Sequence, residues 1–240
     1  MSVTLENYRD FHIQLELGGA QKIHFFAFNG RPVSEAKNRI NEMRSHFARL
    51  PVNHRMGIAP IFLLDDRPLG GRGGGTYPDV MRLRARNESV RERRAAAWGA
   101  SFEVIEQCTR EFGRIGSNRN SLHVIPLDRW NRRARATTVI HECAHGVDSS
   151  IKLHRRGSSD PLRAGRRFSA SDFPASLPGQ ACGHGTELNR RAVNAYVSMM
   201  TGFKGVRVSL QRRIIETFRE SNAFSGVNEN WWATHFPGAT

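Results

Sequence analysis

The chain has 240 residues and a formal net charge of +14, from 36 basic against 22 acidic side chains; only four of the basic residues are lysine (Lys22, Lys37, Lys152, Lys204). That length supports one large domain with its own core, and no apolar run approaches the ~18 residues a membrane span needs, so residues 1–240 are expected to form a single soluble domain with no membrane span and no Sec-type signal. The arginine-dominated charge either favours acidic partners, such as nucleic acid or an acidic protein, or is spread over a solvated surface.

In chain order, Phe11, Ile13, Leu15 and Leu17 alternate with polar residues, Gly18-Gly19 turns the chain, and a second apolar run follows from Ile23 to Phe28. This pattern predicts a β-hairpin. Asn29-Gly30-Arg31-Pro32 breaks it, and Ser34 is placed to cap a helix with the stripe Ala36, Ile40, Met43, Phe47 and Leu50, ended by Pro51. Gly57 to Leu64 predicts a buried strand. The glycine run 70–75 lacks the Gly-Lys-Ser/Thr of a phosphate loop, so it serves close backbone approach or a surface loop, and Thr76 to Leu83 predicts a strand after it. An exposed sheet edge of this kind can hold an extended peptide by main-chain hydrogen bonds.

Asn87 is expected to cap one long helix running to about Phe112, with Val90, Ala97, Phe102, Ile105, Cys108 or Thr109, and Phe112 on its inner face. A turn precedes a short strand at 121–126, and a helix over about 133–150 follows. Residues 152–181 are rich in Arg, Ser, Gly and Pro and predict an irregular basic insertion, placed to form a wall of a cleft. Further helices are predicted at Glu187 to Met200, stopped by Gly202, and at Ser209 to about Asn222. Trp231, Trp232 and Phe236 near the end read as packing against the body. The three cysteines, Cys108, Cys143 and Cys182, form neither a disulfide framework nor a Cys-x-x-Cys metal knuckle, which fits a reducing compartment.

The chemistry centres on residues 137–148, Thr-Thr-Val-Ile-His-Glu-Cys-Ala-His-Gly-Val-Asp. On a helix His141 and His145 lie one turn apart on one face, so their imidazoles can converge on one divalent metal. Glu142, beside the first ligand, is placed as the general base that takes a proton from an activated water. Catalytic zinc needs a third protein ligand, and the candidates are Asp148, Asp172, His184 and Glu187. Asp148 would lie ~10 Å from His141 along a straight helix, which suits a cap or an orienting partner better. Geometry cannot be argued for Asp172 within the insertion, so His184 and Glu187, at the start of the next helix, remain. Ile151 ten residues after His141 excludes the metzincin arrangement.

The stretch His-Glu-Cys-Ala-His-Gly-Val-Asp resembles the motif of anthrax lethal-factor-type metallopeptidases and their bacterial relatives. That resemblance implies a third ligand on a following helix, a role that falls to Glu187, 46 residues after His141; where the family usually has a second acidic residue four positions on, this chain has Arg191. Gly-His-Gly-Thr-Glu-Leu, residues 183–188, is similar to an element of SprT-like proteases, which implies His184 as the ligand and substrates bound to DNA. The spacing of 43 residues from His141 is longer than that family uses, and its zinc-ribbon cysteines are absent.

Together these observations lead to the expectation of a single α+β, zincin-like domain with a small mixed sheet and several helices. It would act as a zinc metalloendopeptidase with one zinc per chain, held by His141, His145 and Glu187, or by His184 in place of Glu187. Glu142 would be the base, and Tyr196, Tyr77 or His184 the oxyanion donor. The toxin resemblance implies an effector delivered without a signal peptide, and otherwise a cytoplasmic location. The alternative is a nucleic-acid-associated protein, SprT-like or with a purely structural metal site.

Overall fold

Strand alternation divides the core in two, because successive side chains of a strand point to opposite faces of the sheet. The computed structural model describes residues 3–18, 22–28, 32–50, 55, 58–64, 75–77, 86–113, 122–126, 140, 141, 144, 170–173, 175, 187–202, 206–220 and 229–239. In β1 (His12–Glu16) and β2 (Lys22–Phe26), Ile13, Leu15, Ile23 and Phe25 face one side and join the larger cluster. Phe26 faces the other side with Phe28 and, from β3 (Ile61–Leu64), Phe62. Ile61 and Leu63 of β3 return to the first side.

Among the described residues the sheet has five strands in the order β1-β2-β3-β5-β4, where β4 is Gly75–Tyr77 and β5 is Leu122–Pro126. The predicted hairpin is present, with β1 antiparallel to β2 and Ile13 opposite Phe25. Strands β2, β3 and β5 run parallel, and β4 lies antiparallel to β5 at the edge, with Thr76 opposite His123. This is a mixed α+β chain. The strand expected over 76–83 is described only at its start, and residues 78–83 lie outside the described set.

Helices cover both faces. On the first, α1 (Val33–Glu42) and α2 (Arg44–Arg49) carry the expected stripe, and Ala36, Ile40, Met43, Phe47 and Leu50 are all buried. The helix is divided at Met43, and the cap is Pro32 instead of Ser34: the Pro32 carbonyl accepts from Glu35 and Ala36, while Ser34 falls inside the first turn. Proline presets its φ for a helix start, which displaces the side-chain cap expected at Ser34. Leu50, before Pro51, is extended at φ −66° and ψ 143°, as a residue preceding proline prefers.

On the second face the single long helix expected over 87–112 is instead two, α3 (Glu88–Ala97) and α4 (Phe102–Phe112). Asn87 caps α3 as expected, accepting from the Val90 amide at 3.0 Å. The break is at Gly99, whose φ of +87° ends α3; a β-carbon there would sit 2.3 Å from the Phe28 carbonyl oxygen. Ser101 then caps α4, accepting from Val104, and Glu92 of α3 accepts from the Phe102 amide at 3.3 Å, joining the two helices. Trp98, Phe102, Val104, Ile105 and Cys108 fill the smaller core.

The C-terminal helices close the larger core. α5 (Glu187–Met200) has the expected bounds and buries Ala192, Val193, Ala195, Tyr196, Val197, Met199 and Met200. So wide an apolar surface belongs to a helix enclosed on several sides. Gly202, at φ +93°, stops it, its amide bonding the Met199 carbonyl. α6 (Val208–Glu220) buries Ile214 and Ile215. α7 (Glu229–His235), which the sequence did not suggest, presses Trp232 and Phe236 into the same core, so the expected packing role holds.

Candidate metal centre

Three described residues belong to the motif helix: Ile140, His141 and Ala144, all helical. Ile140 and Ala144, one turn apart, are buried in the larger core, while His141 next to them is half-buried. This division follows from helical spacing, since i and i+4 share a face and i+1 is rotated by roughly 100°. The core cluster that takes in Ile140 and Ala144 also contains Ala192, Val193 and Tyr196 of α5. One body of packed side chains thus supports both helices that carry the proposed ligands. Glu142, Cys143, His145, Asp148, Cys182 and His184 lie outside the described residues.

Glu187 opens α5 with its side chain 57% exposed, and its Oε1 accepts a hydrogen bond and ion pair from Arg191 one turn on. Arg191 is only 22% exposed. Its other terminal nitrogen donates to the Ala170 carbonyl at 3.0 Å and the Phe173 carbonyl at 3.4 Å. Those carbonyls belong to a 3-10 turn, Ala170–Asp172, and to the buried Phe173 after it; Arg213 of α6 donates to the intervening Ser171 carbonyl at 3.0 Å. Residues 170–173 of the basic insertion are therefore fastened to α5 and α6. Asp172 sits in that turn.

Tyr196, considered as an oxyanion donor, is buried within the larger core, and Tyr77 ends the edge strand β4. Among the described residues no three His, Cys, Asp or Glu side chains gather into a metal-binding group; His141 and Glu187 are the described members of the expected set. The donor chemistry fits zinc, which takes two imidazoles and a carboxylate with one position left open. A ligating carboxylate is ordinarily held by a further hydrogen bond, and Glu187 is held in this way through one oxygen.

Two features of the structure lie outside the motif. The first is Arg191 as a clasp, signalled only by its i+4 spacing from Glu187. The second lies on the opposite face of the sheet, where His12 Nε2 is 2.9 Å from His24 Nδ1, and both rings pack on Phe112. Hairpin register could have found it, because His24 pairs with Gln14, two residues from His12 on the same face. Burial lowers the His12 pKa, with the Glu111 carboxylate opposing and Arg9 reinforcing the shift. Burial also pushes the Cys108 thiol up, assisted by Glu111, which makes it a packing group and not a nucleophile.

No helix among the described residues is long and apolar enough to cross a membrane. No known family, curated protein or solved structure matches the chain.

Proposed function

We propose that the chain is a zinc-dependent metallopeptidase built on a zincin-like domain, with His141, His145 and Glu187 as ligands and Glu142 as general base. The observation that supports this most is the shared core beneath the half-buried His141 and the helix that opens on Glu187. Zinc would act there as a Lewis acid, polarising the scissile carbonyl and lowering the pKa of water. Glu142 would take the proton from the attacking water and pass it to the leaving amine. The edge strand β4, antiparallel to β5 and entered through the glycine run, would hold an extended peptide by main-chain hydrogen bonds. The glycine at its start, Gly75, would let such a peptide's backbone approach closely.

The test is elemental analysis of protein purified without chelator, joined to unbiased profiling of cleaved peptides. About one zinc per chain, with cleavage abolished by chelator and restored by zinc, is the expected result. Absence of metal both as purified and after reconstitution overturns the reading.

The positive charge keeps a nucleic-acid-associated role in view, with DNA-bound protein as substrate. Steep loss of DNA affinity with salt would favour it. Several arginines already have intramolecular work: Arg49, Arg191, Arg212 and Arg213 each donate to a main-chain carbonyl of another segment.

A further inference from the structure

We propose that Arg191 is a positioning residue for the metal centre, holding Glu187 by one carboxylate oxygen and keying it to the backbone of the 170–173 turn. The inference rests on the reading of Glu187 as a zinc ligand. A glutamate in the first turn of a helix, more than half exposed, has several rotamers open to it, and each wrong one removes a ligand from the site. The guanidinium fork removes that freedom. One arm takes Oε1 of Glu187, and the other is fixed by the Ala170 and Phe173 carbonyls, so the arginine is itself held at three points.

Among the described residues, the second oxygen of Glu187 accepts no hydrogen bond from the protein. A carboxylate held in this way presents one oxygen as a monodentate ligand. Lysine could not reproduce the arrangement, since its single ammonium is a point charge without the fork that reaches carboxylate and carbonyls at once. The carbonyls that hold the guanidinium keep their place through Phe173, which is anchored in the core, while the bond from Arg213 to Ser171 is a separate fastening of the same turn.

The experiment is a zinc competition titration with a chromogenic chelator on wild-type chain, Arg191→Gln, Arg191→Lys, Arg213→Gln and Glu187→Gln, with the melting temperature of each metal-free protein measured in parallel. Arg191→Gln is expected to weaken zinc binding about 10–100-fold, the usual cost of losing a partner of a metal ligand. Arg191→Lys should recover only part of that loss. Arg213→Gln, which loosens the same turn without touching Glu187, should lower the melting temperature and leave zinc affinity within about twofold of wild type.

Equal zinc affinity in Arg191→Gln and wild type overturns the proposal, as does equal weakening in Arg191→Gln and Arg213→Gln, which would make Arg191 a fastener of the turn alone. Wild-type zinc affinity in Glu187→Gln also overturns it, while leaving a zinc enzyme with a different third ligand. Failure of the wild-type chain to take up zinc removes the proposed function itself, a distinct outcome. If Arg191→Gln does not fold, Arg191→Lys carries the comparison.

Discussion

His12 and His24 meet across the β1–β2 hairpin with 2.9 Å between Nε2 and Nδ1, a contact that requires at least one of the facing nitrogens to be unprotonated. Their rings stack, and His12 also lies on Phe26. Among the described residues, the charged groups that act on His12 are Glu111 of α4 and Arg9 of the N-terminal 3-10 turn Tyr8–Phe11, which are ion-paired with each other at 2.8 Å.

Because the His12 pKa is lowered in the folded chain, the unfolded chain binds more protons just below the unperturbed value of about 6.5. The resulting stability is fully present above that pH and is lost as pH falls from there through the folded pKa. Glu111 acts in a lower window. Burial alone would raise it, but hydrogen bonds from Tyr8 and Arg9, the Arg9 charge and a hydrogen bond from Gln107 together hold it below the usual carboxylate range. Its contribution is lost only as pH falls below about 4.5 and through its own folded pKa. Urea midpoints measured between pH 8 and pH 5 should fall as pH falls, and His12→Asn should flatten that slope. An equal slope in the variant would show that another group is responsible.

Gly99→Ala is expected to destabilise the fold by about 2–4 kcal/mol, since it combines a positive φ with a β-carbon driven into the Phe28 backbone. Gly18 makes the comparison clean: its φ is +96°, with nothing within 4 Å of an added β-carbon. Gly18→Ala should therefore show only the conformational cost, about 1 kcal/mol. Chemical denaturation of both variants separates strain from collision, and equal losses would mean the approach of Gly99 to Phe28 carries no energy.

Arg49 of α2 donates to the His235 carbonyl at 2.8 Å and lies over the Phe236 ring at 5.2 Å, tying α7 to the first helical pair. Half-burial lowers its pKa, although not far enough to discharge a guanidinium near neutral pH. Arg49→Met keeps the apolar stem and removes both contacts, so a loss of about 1–3 kcal/mol is expected. Hydrogen exchange should quicken first in α7. Unchanged protection there would show that Trp232 and Phe236 alone hold the helix.

Much of this architecture could be read from periodicity. The hairpin, the α1–α2 stripe, the Asn87 cap and α5 with its glycine stop follow from alternation, 3.6-residue spacing and capping chemistry, which act locally. The break at Gly99 could not be read in this way, because it depends on Phe28, about seventy residues earlier in the chain. Helix α7 escaped because two adjacent tryptophans suggest burial without a period. At the candidate site, helical spacing accounts for the half-buried His141 beside the buried pair Ile140 and Ala144. Arg191 has no local signal beyond its i+4 spacing from Glu187, since its other partners are carbonyls about twenty residues away.

Glu142→Gln should retain zinc and fold while losing turnover by about 10²-fold or more, since an amide cannot accept the proton from water. Single-turnover assays on a peptide found by cleavage profiling would measure this. Cleavage at the wild-type rate in a variant with full zinc content would remove Glu142 from the mechanism.

The choice of third ligand separates the two resemblances. If Glu187 completes the site, Glu187→Ala should sharply weaken zinc binding, because two imidazoles alone supply neither the charge nor the geometry of a closed donor set. His184→Ala would then keep about one zinc and lower turnover instead, as expected for a group that assists the oxyanion or shapes the cleft. If His184 is the ligand, the two outcomes exchange, and Glu187 is left as the partner of Arg191 that fastens the 170–173 turn. In that case Glu187→Ala should lower thermal stability without changing metal content. Asp148→Ala serves as the control expected to bind zinc normally, since a straight helix carries that residue ~10 Å beyond His141. Zinc stoichiometry and affinity of the three variants decide the matter, and loss of zinc in Asp148→Ala alone would overturn the helix-geometry argument.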